Sequence, residues 1–184
     1  MFGLGRKPKN EPIVVEVDID IEASADDVFD LLDLASPKCA LRERGMDFGE
    51  APELKNRYSA TMADMPGMVF HFEVQEREKP SRYVFASWFD SDEPLGALEQ
   101  GHSVYVIRAY DNGHCSVELT ETATLTPGLS QGERASEDAM IRLSVVQDLM
   151  KLKLHAEGGA DAVPESIFDF ESAEFHFEEN WDDE

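Results

Sequence analysis

Residues 13 to 22 read IVVEVDIDIE, which puts Val15, Val17, Ile19 and Ile21 on one face of an extended segment and Glu16, Asp18, Asp20 and Glu22 on the other. Alternation with period two predicts a half-buried strand. Ser24 is then placed to cap a helix, Asp26 and Asp27 face its positive end, and Val28, Leu31 and Leu32 form an apolar stripe, so a short helix is expected as far as residue 34. Ser36-Pro37 repeats the logic. Proline at the first helical position gives up no needed N–H, and Gly45 is placed to stop a second short helix over residues 37 to 44.

Six further alternating segments follow, over residues 46–50, 56–63, 69–78, 82–90, 102–110 and 115–126, with turn chemistry at Met65-Pro66-Gly67, Lys79-Pro80 and Asp111-Asn112-Gly113. Links this short join antiparallel neighbours. In the last segment Val117, Leu119, Ala123 and Leu125 share the inward face, Thr120, Thr122 and Thr124 the outward one, and Glu121 breaks the pattern by pointing inward. After Pro127-Gly128 the period becomes helical over residues 134 to 157. Ala139, Leu143, Val146, Met150 and Leu154 make one stripe, and Ile141, Val145, Leu149 and Leu152 another beside it, before Gly158 and Gly159 end the helix.

A helix of that length is about 36 Å long but only about 10 to 12 Å wide, whereas seven strands span roughly 34 Å. The sheet must therefore curl around the helix. Inward surface beyond the helix's reach is filled by large side chains, by the short helices, or by a ligand. The expected class is α+β, a curved antiparallel sheet of about seven strands wrapped around a long C-terminal helix, with two short helices after the first strand.

This order, together with IDIEASADDVFDLLDL over residues 19 to 34, resembles the START-like superfamily, also called the SRPBCC or Bet v 1-like helix-grip fold. The resemblance covers residues 13 to 157. It implies a cavity between sheet and long helix for a small, mainly hydrophobic molecule, with a mouth framed by residues 62–68, 90–101 and 134–143. Members of the superfamily include lipid and hormone binders, aromatic polyketide cyclases, quinone-binding proteins, oxygenase domains and chaperone activators, so the resemblance points to a fold more sharply than to a function.

Composition narrows the partners. The 184 residues carry 16 Lys and Arg against 39 Asp and Glu, a formal charge of -23, which repels nucleic acid and anionic membrane surfaces at long range. Residues 158 to 184 hold 10 of the acids and no Lys or Arg. The expected organisation is thus a flexible N-terminus over residues 1–12, a domain over 13–157, and an acidic, aromatic tail over 158–184. Cys39 and Cys115 form neither a CxxC pair nor a disulfide framework, and MFGLGRKPKN lacks the apolar stretch of a secretory signal. No run approaches the ~20 apolar residues of a membrane span. The chain reads as soluble and cytoplasmic.

For the ligand wall the candidates are Met62, Met65, Met68, Phe70, Phe72, Trp88, Glu121, Met140 and Leu143. Thioethers adapt to irregular apolar shapes, though they fill cores equally well. An inward carboxylate needs a partner, water or a raised pKa, so Glu121 orients a ligand, acts as acid or base, is returned to solvent by a bulge or strand end, or pairs with Arg108 or Arg142 for structure alone. His71, His102 and His114 share no ligand spacing, and no Walker loop or GxSxG elbow is present. No metal or cofactor is expected. The leading reading is a binder of a lipid-, quinone- or aromatic polyketide-type molecule rather than an enzyme. One alternative is a polyketide cyclase-like enzyme using Glu121 with Tyr105. Another is an interaction module resembling chaperone activators, with Phe168, Phe170, Phe175, Phe177 and Trp181 of residues 160–184 as the contact.

Overall fold

The computed structural model describes residues 11–48, 55–91, 96–110 and 112–164. Strand β1 (Ile13–Ile21) is followed by helices α1 (Ala25–Leu32) and α2 (Ala40–Glu43), then by β2 (Arg57–Ala60), β3 (Met68–Glu78), β4 (Arg82–Ser91), β5 (Leu98–Ala109) and β6 (Cys115–Leu125), and finally by the long helix α3 (Gln131–Gly158). The strands form one sheet in the order β1-β6-β5-β4-β3-β2, antiparallel throughout. Irregularities between Val74 and Glu76 and between Leu98 and Gln100 are places where a strand bends. The curved sheet holds α3 chiefly against β1.

Each element has a local cause. Ser24 caps α1 by accepting the Asp27 N–H at 3.2 Å. At Ser130 a capping box opens α3: the side chain accepts the Glu133 N–H at 3.2 Å, while Glu133 accepts the Ser130 N–H at 2.8 Å. The helix therefore begins before residue 134, and the Ser-x-x-Glu spacing was there to be read. It ends at Gly159, whose φ of 80° suits a residue without a Cβ.

Three expectations change. Among the described residues the sheet has six strands rather than about seven, because residues 46 to 48 make only an isolated bridge in which Asp47 and Thr61 exchange hydrogen bonds of 2.9 and 3.0 Å. Phe48 then turns its ring inward against Tyr58 and Phe72, with the Arg42 guanidinium 4.5 Å from the ring centre. One bridge and the packing of Phe48 hold that segment. The second short helix occupies only Ala40–Glu43, since Ser36 to Cys39 are taken up in a turn in which the Cys39 N–H reaches the Ser36 carbonyl. On α3 the buried row is Val145, Leu149, Leu152 and His155, so the helix is rotated away from the stripe containing Leu143.

The core near α1 is tightly satisfied. Phe29 meets Tyr83 edge-on at 5.6 Å, and both are essentially inaccessible to solvent. The Tyr83 hydroxyl accepts the Leu34 N–H at 3.0 Å and donates to Asp33 at 3.4 Å, while Arg77 pairs with Asp33 at 3.0 Å. Lys79 pairs with Asp30. These contacts fasten the segment after β1 onto the sheet.

A candidate ligand cavity

Between α3, the α2 region and the inner face of the sheet lies a cavity of about 1260 Å³. Small-molecule sites commonly run from about 300 to 1,000 Å³, so this space exceeds what one small polar metabolite needs. Its origin lies in the strand register. Ser87 on β4 faces Gly101 on β5, which faces Ala123 on β6, and all three line the cavity. A row of three small residues across the middle of the sheet leaves unfilled the volume that larger inward side chains would occupy. Larger apolar walls, Phe70, Phe72, Phe85, Leu119, Ile141 and Leu152, surround that row.

The next row across the sheet carries the polar groups. Phe85 faces Ser103, and Ser103 faces Glu121. The Ser103 hydroxyl donates to Glu121 Oε2 at 2.5 Å. A Cβ at Gly101 would sit 2.6 Å from Glu121 Oε1, so the missing side chain at Gly101 makes room for that carboxylate. Burial pushes the Glu121 carboxyl above its ordinary range; the Ser103 hydrogen bond opposes the shift, the Asp148 charge adds to it, and the His102 backbone opposes it. Neither arginine considered as a partner reaches it, because Arg108 pairs with Glu118 at 2.7 Å and Arg142 with Asp138 at 3.0 Å.

Asp148 enters from α3, and sequence reading passed it over because acids on a solvated helix are ordinary. It has accessible surface, but it lines the cavity, and the protein around it pushes its carboxyl upward by burial, against the opposing charges of Arg44 and Lys151. Tyr105 stands one row beyond Ser103, its ring stacked on Phe85 at 6.1 Å. Burial raises its phenol strongly, and the Asp148 and Glu121 charges raise it further. No side-chain hydrogen bond or ion pair joins Asp148 or Tyr105 to another described residue.

Of the residues proposed from sequence, Met62, Phe70, Phe72, Trp88 and Glu121 lie along the cavity wall. Trp88 contributes to it although its ring stacks on His71 at 5.5 Å, on the pleat face opposite Phe70 and Phe89. Met65, Met68, Met140 and Leu143 do not line it. Met65, Met140 and Leu143 are 42%, 53% and 40% exposed, Met65 at the turn between β2 and β3 and the other two on the outward side of the rotated helix. His71 bonds Ser59 and Asp90, and His102 bonds Gln75. His155, unremarked in the sequence, is buried with Nε2 2.7 Å from Glu43 and Nδ1 without a partner among the described residues. Beyond α3, Ala160, Val163 and Pro164 also reach the wall. The aromatic strip beginning at Phe168 lies outside the described residues. No described helix is long and apolar enough to cross a membrane.

No family model matches the chain, and no curated protein matches it in sequence. Solved structures match it in shape. Ara h 8.0201 is 10% identical with a TM-score of 0.55, the match covering 76% of this chain and 93% of that one. DynU16, from the dynemicin biosynthetic locus, is 20% identical with a TM-score of 0.54; the match covers 83% of this chain but only 50% of DynU16. A START superfamily protein from Mycobacterium smegmatis is 9% identical with a TM-score of 0.51, over 74% of this chain and 93% of its own. At such identities the likeness is one of fold.

Proposed function

Starting from a chain that has the START-like, or Bet v 1-like, helix-grip fold, we propose that it binds a mainly hydrophobic small molecule of lipid, quinone or aromatic polyketide type between α3 and the sheet. The carrying observation is the cavity of about 1260 Å³ left by the Ser87, Gly101 and Ala123 row and walled by aromatic and aliphatic side chains. An apolar wall with a few convergent polar groups is the usual make-up of a small-molecule site. Native mass spectrometry of the protein purified from its own organism tests this. A non-covalently bound apolar molecule, released on denaturation, is expected; a protein that stays at its bare mass and takes up no apolar probe contradicts the reading.

The Ser103–Glu121 pair supports a second reading, in which a carboxyl held above its ordinary range exchanges a proton with a bound polyketide-type substrate. Here Glu121→Gln abolishes conversion while binding persists. Release of the bound molecule chemically unchanged from the wild-type protein decides for the binder.

A further inference from the structure

The cavity's charges are unevenly matched. Glu121, Asp148, Glu43 and Asp64 line it, against Arg44 and Lys151. Glu43 is engaged by His155, and both cations lie near Asp148, where they oppose its burial. Glu121 is different: its neighbours are the Ser103 hydroxyl, the His102 backbone and another acid, Asp148, with no cation among them. The Asp148 carboxyl and the Tyr105 hydroxyl have no hydrogen-bond partner among the described residues. Glu121 thus has hydrogen-bond donors but no countercharge, the Tyr105 hydroxyl has no side-chain partner, and the wall as a whole carries more acids than its two cations match.

Resting on the hydrophobic-ligand reading above, we infer that the ligand is an amphiphilic amine, its ammonium seated between Glu121 and Asp148 with the Tyr105 hydroxyl as a further acceptor and its apolar body over the Ser87, Gly101 and Ala123 row. An ammonium group is donor-only and positive, so it supplies the countercharge that Glu121 lacks and the donor that the Tyr105 hydroxyl lacks. A fatty-acid-type carboxylate would instead place a further acid beside Glu121 and Asp148, and only Arg44 and Lys151 would receive it. An alcohol supplies one donor and no charge. The overall charge of -23 draws cations toward the protein and acts against anions.

Displacement of the neutral dye Nile red from the full chain near neutral pH, by dodecylammonium, dodecanol and dodecanoate, tests the inference with one apolar chain and three heads. Dodecylammonium is expected to bind about tenfold or more tighter than dodecanoate, with dodecanol between them. Glu121→Gln and Asp148→Asn, isosteric changes that preserve the wall, should each shrink the gap between amine and alcohol. Dodecanoate binding as tightly as the amine, or an amine preference that survives in both variants, overturns the inference and leaves the hydrophobic-ligand reading standing. If none of the three displaces the dye and the dye itself does not bind, that reading falls as well.

Discussion

Tyr83 and Tyr105 face each other in the register of β4 and β5, one strand apart on the same face of the sheet. Their hydroxyls meet opposite fates. Tyr83 lies in a filled region, with Phe29 against its ring and Leu34, Asp33 and Arg77 around its oxygen. Tyr105 lines the cavity beside two carboxyls, and its hydroxyl bonds none of the described residues. The same side chain is a completed part of the core in one strand and an unspent polar group in the next. What separates them is the neighbourhood each row of the sheet supplies: α1 and its following turn cover Tyr83, while small residues and α3 leave space beside Tyr105.

The largest expected effect comes from the filled side. Phe29→Ala should cost about 3–5 kcal/mol of stability, as truncating a buried aromatic does, read as a lowered midpoint of chemical denaturation. Tyr83→Phe should cost about 1–3 kcal/mol because it strands the Leu34 N–H in the core. Tyr105→Phe should stay within about 0.5 kcal/mol of wild type while weakening dodecylammonium binding. Equal stability losses at the two tyrosines would erase the distinction between the regions.

A subtler effect concerns pH. Glu121 and Asp148 are both held above the ordinary carboxylate range in the folded state, chiefly by burial. The folded protein therefore keeps protons that the unfolded chain gives up, so this pair makes stability fall as pH rises from about 4 through the raised values. Below that range both states are protonated and the penalty vanishes. Glu121→Gln removes one of the two groups. Its denaturation midpoint should gain on wild type as pH rises above about 4 and converge with it in more acid solution. A gap that stays constant with pH would show that Glu121 is not held in its raised state by the cavity.

The two regions also differ in how far sequence alone reveals them. The alternation of β1 and β6, the Ser24 cap and the helical period of α3 are local patterns, and each was readable residue by residue. So was the inward turn of Glu121. The cavity floor was not, because Ser87, Gly101 and Ala123 lie on three strands and become a row only once the register is set. Gly101 lies inside its strand, which begins at Leu98, ahead of the alternation visible over residues 102–110. Asp148 was hidden for another reason: which side of α3 meets the sheet depends on packing, and the helix turns Val145, Leu149 and Leu152 inward rather than the Leu143 stripe. Met140 and Leu143 fell away from the wall through that same rotation.

The space between helix and sheet exists because side-chain volume is absent from the middle row. Ser87→Phe restores that volume on a strand that accepts aromatics readily, so Nile red titration of this variant beside wild type tests this most directly. The account predicts saturable one-to-one binding by wild type and binding weakened about tenfold or more in the variant, with no loss of stability, since a ring placed in an open space strains nothing. Dye binding unchanged by the new ring, or a stability loss of about 1–3 kcal/mol from forcing it into a row that is already packed, would contradict it.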